Sequence, residues 1–88
     1  MRVIKIETTI RFDRSLSKLP NAIQQETLKK VAIFRENSFD PRLRTHKLKG
    51  KLKNSWSFSI NYSHRVVFEM IGKNTVLFYD IGDHRIYQ

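Results

Sequence analysis

The chain contains no cysteine, only three glycines and two prolines, and no apolar run longer than a few residues. Without cysteine there is no disulfide framework, no thiolate nucleophile and no cysteine-ligated zinc or iron–sulfur site. A membrane-spanning helix needs about 20 mostly apolar residues, so none is expected. The first five residues have no signal-peptide apolar stretch. We therefore expect a protein of the cytoplasm that makes no use of a membrane.

Acidic residues are also scarce. Eight Asp and Glu stand against 17 Lys and Arg, which gives a net charge of +9. Such an excess favours a polyanionic partner, most often a nucleic acid, while an anionic membrane surface and an acidic protein partner remain alternatives on charge alone. At 88 residues the chain has room for a single domain, residues 1–88, and not for a second one.

Much of the positive charge lies between Arg42 and Lys53, a stretch without acidic residues that we call the basic segment. Three leucines interrupt it, which predicts that the segment packs against the body of the protein and presents its charges in a fixed direction. A merely solvated basic run is the simpler alternative. The cationic side chains of the segment, which are candidate RNA-binding residues, are Arg42, Arg44, Lys47, Lys49, Lys51 and Lys53.

The first half of the chain predicts one strand and two helices. Residues 3–7 are short and rich in β-branched side chains, as strands are. Phe12, Leu16 and Leu19 recur at helical spacing, and Pro20 suits the start of a second helix. The expected apolar side of that second helix comprises Ile23, Leu28, Val31, Ala32 and Phe34. The two helices are expected to form a hairpin.

From Trp56 onward the pattern changes to a period of two. Trp56, Phe58 and Ile60 alternate with polar residues, as in a half-buried strand, and strands are also expected over residues 65–71 and 75–81. Short turns between them predict antiparallel pairing. The expected fold class is therefore α+β: an N-terminal strand, a helical hairpin and a three-stranded antiparallel meander, with the helices on one face of the sheet.

Strand parity places one arginine away from the helices. If Val66 and Phe68 face the core, Arg65 points to the opposite sheet face. Ser57 and Ser59 supply polar side chains there, so we expect that face to be open and polar. The basic segment and the C-terminal tail both adjoin it in sequence, which makes a concave site between them plausible.

Familiar catalytic motifs are missing: there is no Gly-rich phosphate loop and no Gly-x-Ser-x-Gly. The histidines at positions 46, 64 and 84 match no compact metal-ligand spacing, so neither a metal nor another cofactor is expected. RNA cleavage would fit, because RNA brings its own nucleophile, the 2′-hydroxyl. It needs a base, a cation for the phosphorane and an acid for the leaving oxygen.

The residues available for that chemistry are His46, Lys49, Arg65, His84 and Tyr87. Each also has a structural interpretation. The histidines could be ordinary surface residues, Arg65 could pair with Glu69 on the same strand face, and Tyr87 could pack on the sheet.

Three stretches carry a resemblance to a known family. Residues 48–57, LKGKLKNSWS, resemble the leucine-lysine-glycine and tryptophan-serine signature of the RelE/ParE toxin superfamily of type II toxin–antitoxin systems. Residues 60–69, INYSHRVVFE, are similar to the strand–turn–strand of its YoeB and RelE branches, including the arginine that opens the second strand. The ending IGDHRIY, residues 81–87, is similar to the superfamily's C-terminal tails.

The resemblance implies a RelE-like microbial ribonuclease fold and a ribosome-dependent, metal-independent messenger endoribonuclease that inhibits translation. By position it implies that His46 is the general base, Arg65 stabilises the phosphate, His84 is the general acid and Tyr87 stacks on a base. The basic segment would grip phosphate or ribosomal RNA. The implied partners are an acidic antitoxin, the ribosome and messenger RNA.

The superfamily leaves a second function open. Its ParE branch shares the fold but poisons DNA gyrase without nuclease activity, and a binding-only homologue is a further alternative. Phe58 and Ser59 stand where the YoeB-like branch has arginines. The presence of His46, Arg65 and His84 together favours the ribonuclease.

Overall fold

The computed structural model describes residues 1–50 and 54–87, apart from the side chains of His84 and Tyr87. The described residues form two α-helices, five strands and two short 3-10 helices. In chain order these are β1 (Lys5–Thr8), α1 (Ile10–Ser17), α2 (Asn21–Glu36), the 3-10 helix Pro41–Leu43, β2 (His46–Lys47), β3 (Trp56–Ser59), β4 (Arg65–Gly72), β5 (Thr75–Gly82) and the 3-10 helix His84–Tyr87.

The strands form a single sheet in the order β1-β5-β4-β3-β2. β3, β4 and β5 are the antiparallel meander that the sequence predicts. β1 adds to one side of it, parallel to β5, and β2 adds to the other side, antiparallel to β3. The α+β fold class is confirmed, whereas β2 was not predicted, because a two-residue strand shows no alternation.

Local sequence signals explain where the helices begin and end. Thr9 accepts a hydrogen bond at its side-chain oxygen from the backbone N–H of Phe12, at 2.9 Å, which caps α1. Pro20 directly precedes α2 and has no N–H to leave unpaired. Asn37 in an extended conformation ends that helix, just before the short 3-10 helix.

The core is built around aromatic side chains. Phe34 of α2 is fully buried, and its ring centroid lies 4.5 Å from that of Phe58, 5.0 Å from that of Phe68 and 5.5 Å from that of Phe78. Phe12 of α1 contacts Phe78 at 5.3 Å. These rings join both helices to the central strands, and large buried aromatic side chains dominate such cores energetically.

The expected apolar side of α2 was partly wrong. Leu28 is 63% exposed and Ala32 is exposed as well, whereas the polar Thr27 is buried. The Thr27 hydroxyl donates to the carbonyl oxygen of Ile23 at 2.8 Å, which satisfies it inside the helix. The buried stripe of α2 therefore runs through Thr27 and Phe34 rather than through Leu28.

The expectation of an open second sheet face was also wrong at the middle of the sheet. Ser57 and Val67 are paired across β3 and β4 and are buried, although Val67 does not belong to the core cluster. The second face is therefore covered at this row, and a polar residue in an alternating strand does not by itself indicate exposure to solvent.

Among the described residues, no helix has the length and apolarity required to cross a membrane.

Candidate functional site

A cleft of about 470 Å³ lies where the basic segment meets the turn between β3 and β4. We call it the basic cleft. Its described lining contains four Lys or Arg side chains and one histidine but no carboxylate, a composition suited to holding a phosphate-bearing strand. The lining residues are Lys30, Arg42, Arg44, His46, Ser59, Ile60, Asn61, Tyr62 and Arg65.

Strand register explains how two distant residues come together in the cleft. His46 of β2 is paired with Ser57 of β3, and Ser59 of β3 is paired with Arg65, the first residue of β4. Side chains two residues apart on a strand share a face, so His46 and Arg65 lie on the same sheet face. They are separated by 19 positions in sequence, and both line the cleft.

The His46 ring is fixed by a contact with its own segment. Nδ1 lies 3.1 Å from the carbonyl oxygen of Arg44. Since a carbonyl oxygen only accepts, Nδ1 carries the proton in this contact. In the neutral ring, Nε2 is then unprotonated and keeps a lone pair. This nitrogen can therefore accept a proton. The side chain is exposed, so that nitrogen is accessible to a ligand.

Arg44, two residues before His46, has a left-handed backbone with φ of 51°. Residues other than glycine rarely adopt this conformation. Here it ends the 3-10 helix Pro41–Leu43 and turns the chain into β2. Leu43 is fully buried, so this part of the basic segment is anchored to the core, as its leucines predict.

Arg42 is engaged with an acid next to the cleft. Its Nε donates to Oδ1 of Asp40 at 3.0 Å, and its Nη2 donates to Oδ2 at 2.9 Å. The guanidinium hydrogen bond, helped by the Arg42 backbone N–H, lowers the pKa of the Asp40 carboxyl to about 2. The charge of Arg42 is thus partly offset, and Arg44 and Lys30 are left as the cleft cations that pair with no carboxylate in the described part of the chain.

Lys47 and Lys49 of the basic segment are not brought to the cleft. Lys47 and Lys49 are exposed and are absent from its described lining, and Lys47 projects to the sheet face opposite His46 because the two are consecutive in β2. Lys51 and Lys53 lie outside the described residues. Their expected RNA-binding role stays a prediction.

The C-terminal turn follows β5, the strand next to β4, and its described residues are not part of the basic cleft's described lining. Gly82, the last residue of β5, is paired with Arg65. A Cβ atom at Gly82 would lie 2.5 Å from Cγ2 of Ile86, so only glycine lets the final 3-10 helix fold back so closely. The backbone of that helix includes His84 and Tyr87; their side chains are outside the described atoms, and their roles stay predictions.

Two lining residues escaped the sequence analysis. Lys30 comes from α2, where it falls between the buried Thr27 and Phe34 on the same side of the helix. The sequence feature that could have identified Lys30 is its position among the residues of the buried side of the helix. Tyr62 sits in the turn after β3, where a single aromatic residue between polar neighbours carries no periodic pattern.

No family model matches the sequence, and no curated protein matches it. Solved structures do match. A YoeB/ParE toxin from Agrobacterium tumefaciens has a TM-score of 0.77 and 16% identity, covering 92% of this chain and 99% of that one. The archaeal RelE-RelB complex from Pyrococcus horikoshii OT3 gives a TM-score of 0.73 and 14% identity, covering 94% and 96%. The toxin-antitoxin complex RelBE2 from Mycobacterium tuberculosis gives a TM-score of 0.66 and 20% identity, covering 96% and 94%.

These likenesses extend over nearly the whole of both chains in each pair, and the helix and strand order is the one that the sequence motifs imply. The chain therefore has the fold of the RelE- and YoeB-like toxin superfamily.

Proposed function

We propose that this protein is the toxin of a type II toxin–antitoxin system and acts as a ribosome-dependent messenger endoribonuclease. The observation that carries the proposal is the meeting of His46 and Arg65 on one sheet face, in a cleft whose described lining has no carboxylate. A base and a cation at one phosphate are what intramolecular RNA cleavage requires. The fold likeness supports the toxin class.

In the proposed reaction, Nε2 of His46 removes the proton from a 2′-hydroxyl, and the oxygen attacks the adjacent phosphorus. The bond from phosphorus to the 5′-oxygen breaks, and that oxygen receives a proton from the general acid. The products are a 2′,3′-cyclic phosphate and a 5′-hydroxyl. Position in the sequence assigns the acid to His84, and Tyr87 is assigned to stacking on a base.

Arg65 is proposed to neutralise the charge that develops on the phosphorane. Its planar guanidinium matches two phosphate oxygens, which a lysine ammonium cannot do. Arg44 lines the same cleft and supplies a second guanidinium to the bound RNA. No metal is needed for this reaction, because arginines supply the positive charge and the RNA supplies the nucleophile.

The proposed resting form is a complex with an acidic antitoxin that covers the basic segment. The net charge of +9 supports such a partner. Two structurally similar proteins were solved as complexes, a toxin-antitoxin complex from Mycobacterium tuberculosis and an archaeal RelE-RelB complex. Binding of a partner to the folded form alone stabilises that form through linkage. If a small acidic reading frame adjoins this gene, co-expression of the two should give a co-purifying pair.

Cleavage of a defined messenger on programmed ribosomes tests the activity. The protein should cut the messenger and leave a cyclic phosphate end, and Arg65→Ala should lower the single-turnover rate by about 10²–10³-fold. Arg14→Ala removes an equal charge from an exposed position on α1 and serves as the matched control. An intact messenger together with inhibition of purified DNA gyrase would overturn the ribonuclease in favour of the gyrase-directed alternative.

A further inference from the structure

Tyr62 is the most exposed of the large hydrophobic side chains in the described part of the chain, at 98%. Isolated exposed apolar residues are common on soluble proteins and need no explanation by themselves. Two features set Tyr62 apart: hydrogen bonds among its neighbours hold the turn that carries it, and the residue lines the basic cleft.

The turn that carries Tyr62 is ordered by the residue before it. Oδ1 of Asn61 accepts hydrogen bonds from the backbone N–H groups of Ser63 and His64, each at 2.8 Å. The backbone N–H of Ile60 donates to the carbonyl oxygen of His64 at 2.9 Å. The ring is therefore presented to solvent from a fixed backbone, which reduces the entropy lost when a ligand stacks on it.

Cations accompany the ring in the cleft. Lys30 is held there by α2, and Arg44 by the turn into β2. Proteins that bind single-stranded nucleic acid commonly combine a basic groove with an aromatic ring on which a base stacks. A lone aromatic in a neutral groove, or cations without an aromatic, would not meet this description.

We propose that Tyr62 and Lys30 form a nucleotide subsite of the basic cleft, in which the Tyr62 ring stacks on an RNA base and the Lys30 ammonium contacts a backbone phosphate beside it. This inference rests on the proposed function and extends it, because it names how the strand is held next to the reacting phosphate. The subsite reads no base edge, so it contributes affinity and placement without a strong sequence preference.

Binding without cleavage tests the subsite separately from the activity. A fluorescently labelled short RNA with 2′-O-methyl riboses cannot supply the attacking hydroxyl, and its binding is followed by anisotropy at several salt concentrations. Loss of one stacked base weakens binding of single strands by about 1–3 kcal/mol, so Tyr62→Ala should weaken it about 5- to 150-fold. The salt slope should stay unchanged, and Tyr62→Phe should restore most of the affinity.

Lys30→Ala should behave differently, because it removes an ion pair with phosphate. The slope of log affinity against log salt should fall by about 0.7. Lys29→Ala is the matched control, since Lys29 is its exposed neighbour on α2 and is absent from the described lining of the cleft; it should leave the slope as it is.

An abasic RNA gives the decisive comparison. The effect of Tyr62→Ala should vanish on a strand without bases, and an equal loss on abasic and normal RNA would overturn stacking. If the messenger is cleaved but RNA binding does not depend on Tyr62, the subsite is overturned and the proposed nuclease activity is not. Base-dependent binding without any cleavage would support the subsite and overturn the nuclease.

Discussion

The imidazole of His46 is oriented by the carbonyl oxygen of Arg44, which lies 3.1 Å from Nδ1. Arg44 reaches that position through a left-handed backbone with φ of 51°. The general base of the proposed reaction is thus positioned by main chain rather than by an acidic partner. Replacement of the Arg44 side chain should therefore leave the ring orientation intact, whereas loss of the imidazole removes the proton acceptor.

His46→Ala is expected to lower the single-turnover cleavage rate by about 10²–10⁴-fold, the usual contribution of a positioned general base. The melting temperature should hardly change, because the side chain is exposed. A variant that keeps a near wild-type rate would transfer the role to another residue.

Gly82→Ala is expected to displace the C-terminal turn, because the new methyl group would meet Cγ2 of Ile86 at 2.5 Å. The residues proposed as acid and stacking group both lie on that turn, so cleavage should fall much more than stability does. The measurement pairs single-turnover rates with circular dichroism melting.

Gly72→Ala is the matched control for that change. It adds the same methyl group at the end of β4, where the nearest atom is Cβ of Thr75 at an ordinary 3.7 Å. Equal activities of the two glycine variants would show that the close approach of the turn is irrelevant to catalysis.

Asp40 should make stability depend on pH in the acid range. Hydrogen bonds from Arg42 lower its pKa from 3.8 to about 2 in the folded protein. A carboxyl whose pKa is lower in the folded state stabilises that state above its unfolded pKa, and the contribution is lost as the pH falls through the folded value. The difference in melting temperature between wild type and Asp40→Asn should therefore shrink as the pH falls from 5 to 2. A difference that is constant across this range would contradict the ion pair.

Asp80→Ala is expected to destabilise the fold by about 1–3 kcal/mol, the cost of leaving buried donors unsatisfied. Asp80 is buried, and its carboxylate accepts from the Ser15 hydroxyl at 2.7 Å, from the backbone N–H of Ile81 at 2.8 Å and from Nε of Arg11 at 3.0 Å. Urea unfolding measures the effect.

Arg11→Ala tests the other end of the same contact. The Arg11 side chain is 60% exposed, and without it the Asp80 carboxylate still accepts hydrogen bonds from Ser15 and Ile81. Its loss should cost clearly less than the loss of Asp80. Equal costs would mean that the salt bridge, rather than the buried hydrogen bonds, holds α1 on β5.

Most of the fold could be predicted from the strong periodic patterns in the sequence. The alternation from Trp56 onward gave the meander because each strand has one face in the core, and the Phe12 stripe gave α1. The burial of Thr27 in place of Leu28 was not predictable from polarity, because an internal hydrogen bond to a helix carbonyl removes the cost of burying a hydroxyl.

The site was recovered only in part for a related reason. His46 and Arg65 were candidates because of their chemistry, and the resemblance implied their roles. Strand register then brings both to one sheet face. Lys30 and Tyr62 reach the cleft because the fold brings one face of α2 and the turn after β3 together. A local sequence pattern does not show this contact. Charge density alone does not locate the cleft, because Lys47 carries as much charge as Arg44 but does not line it.

The parallel pairing of β1 with β5 also has a kinetic consequence. Lys5 is the partner of Thr75, so the first strand finds its neighbour only after the last one has been synthesised. Contacts this distant in sequence form late and slow folding. During synthesis the N-terminal strand and the helices therefore remain incompletely buried until β5 has been made and the sheet closes.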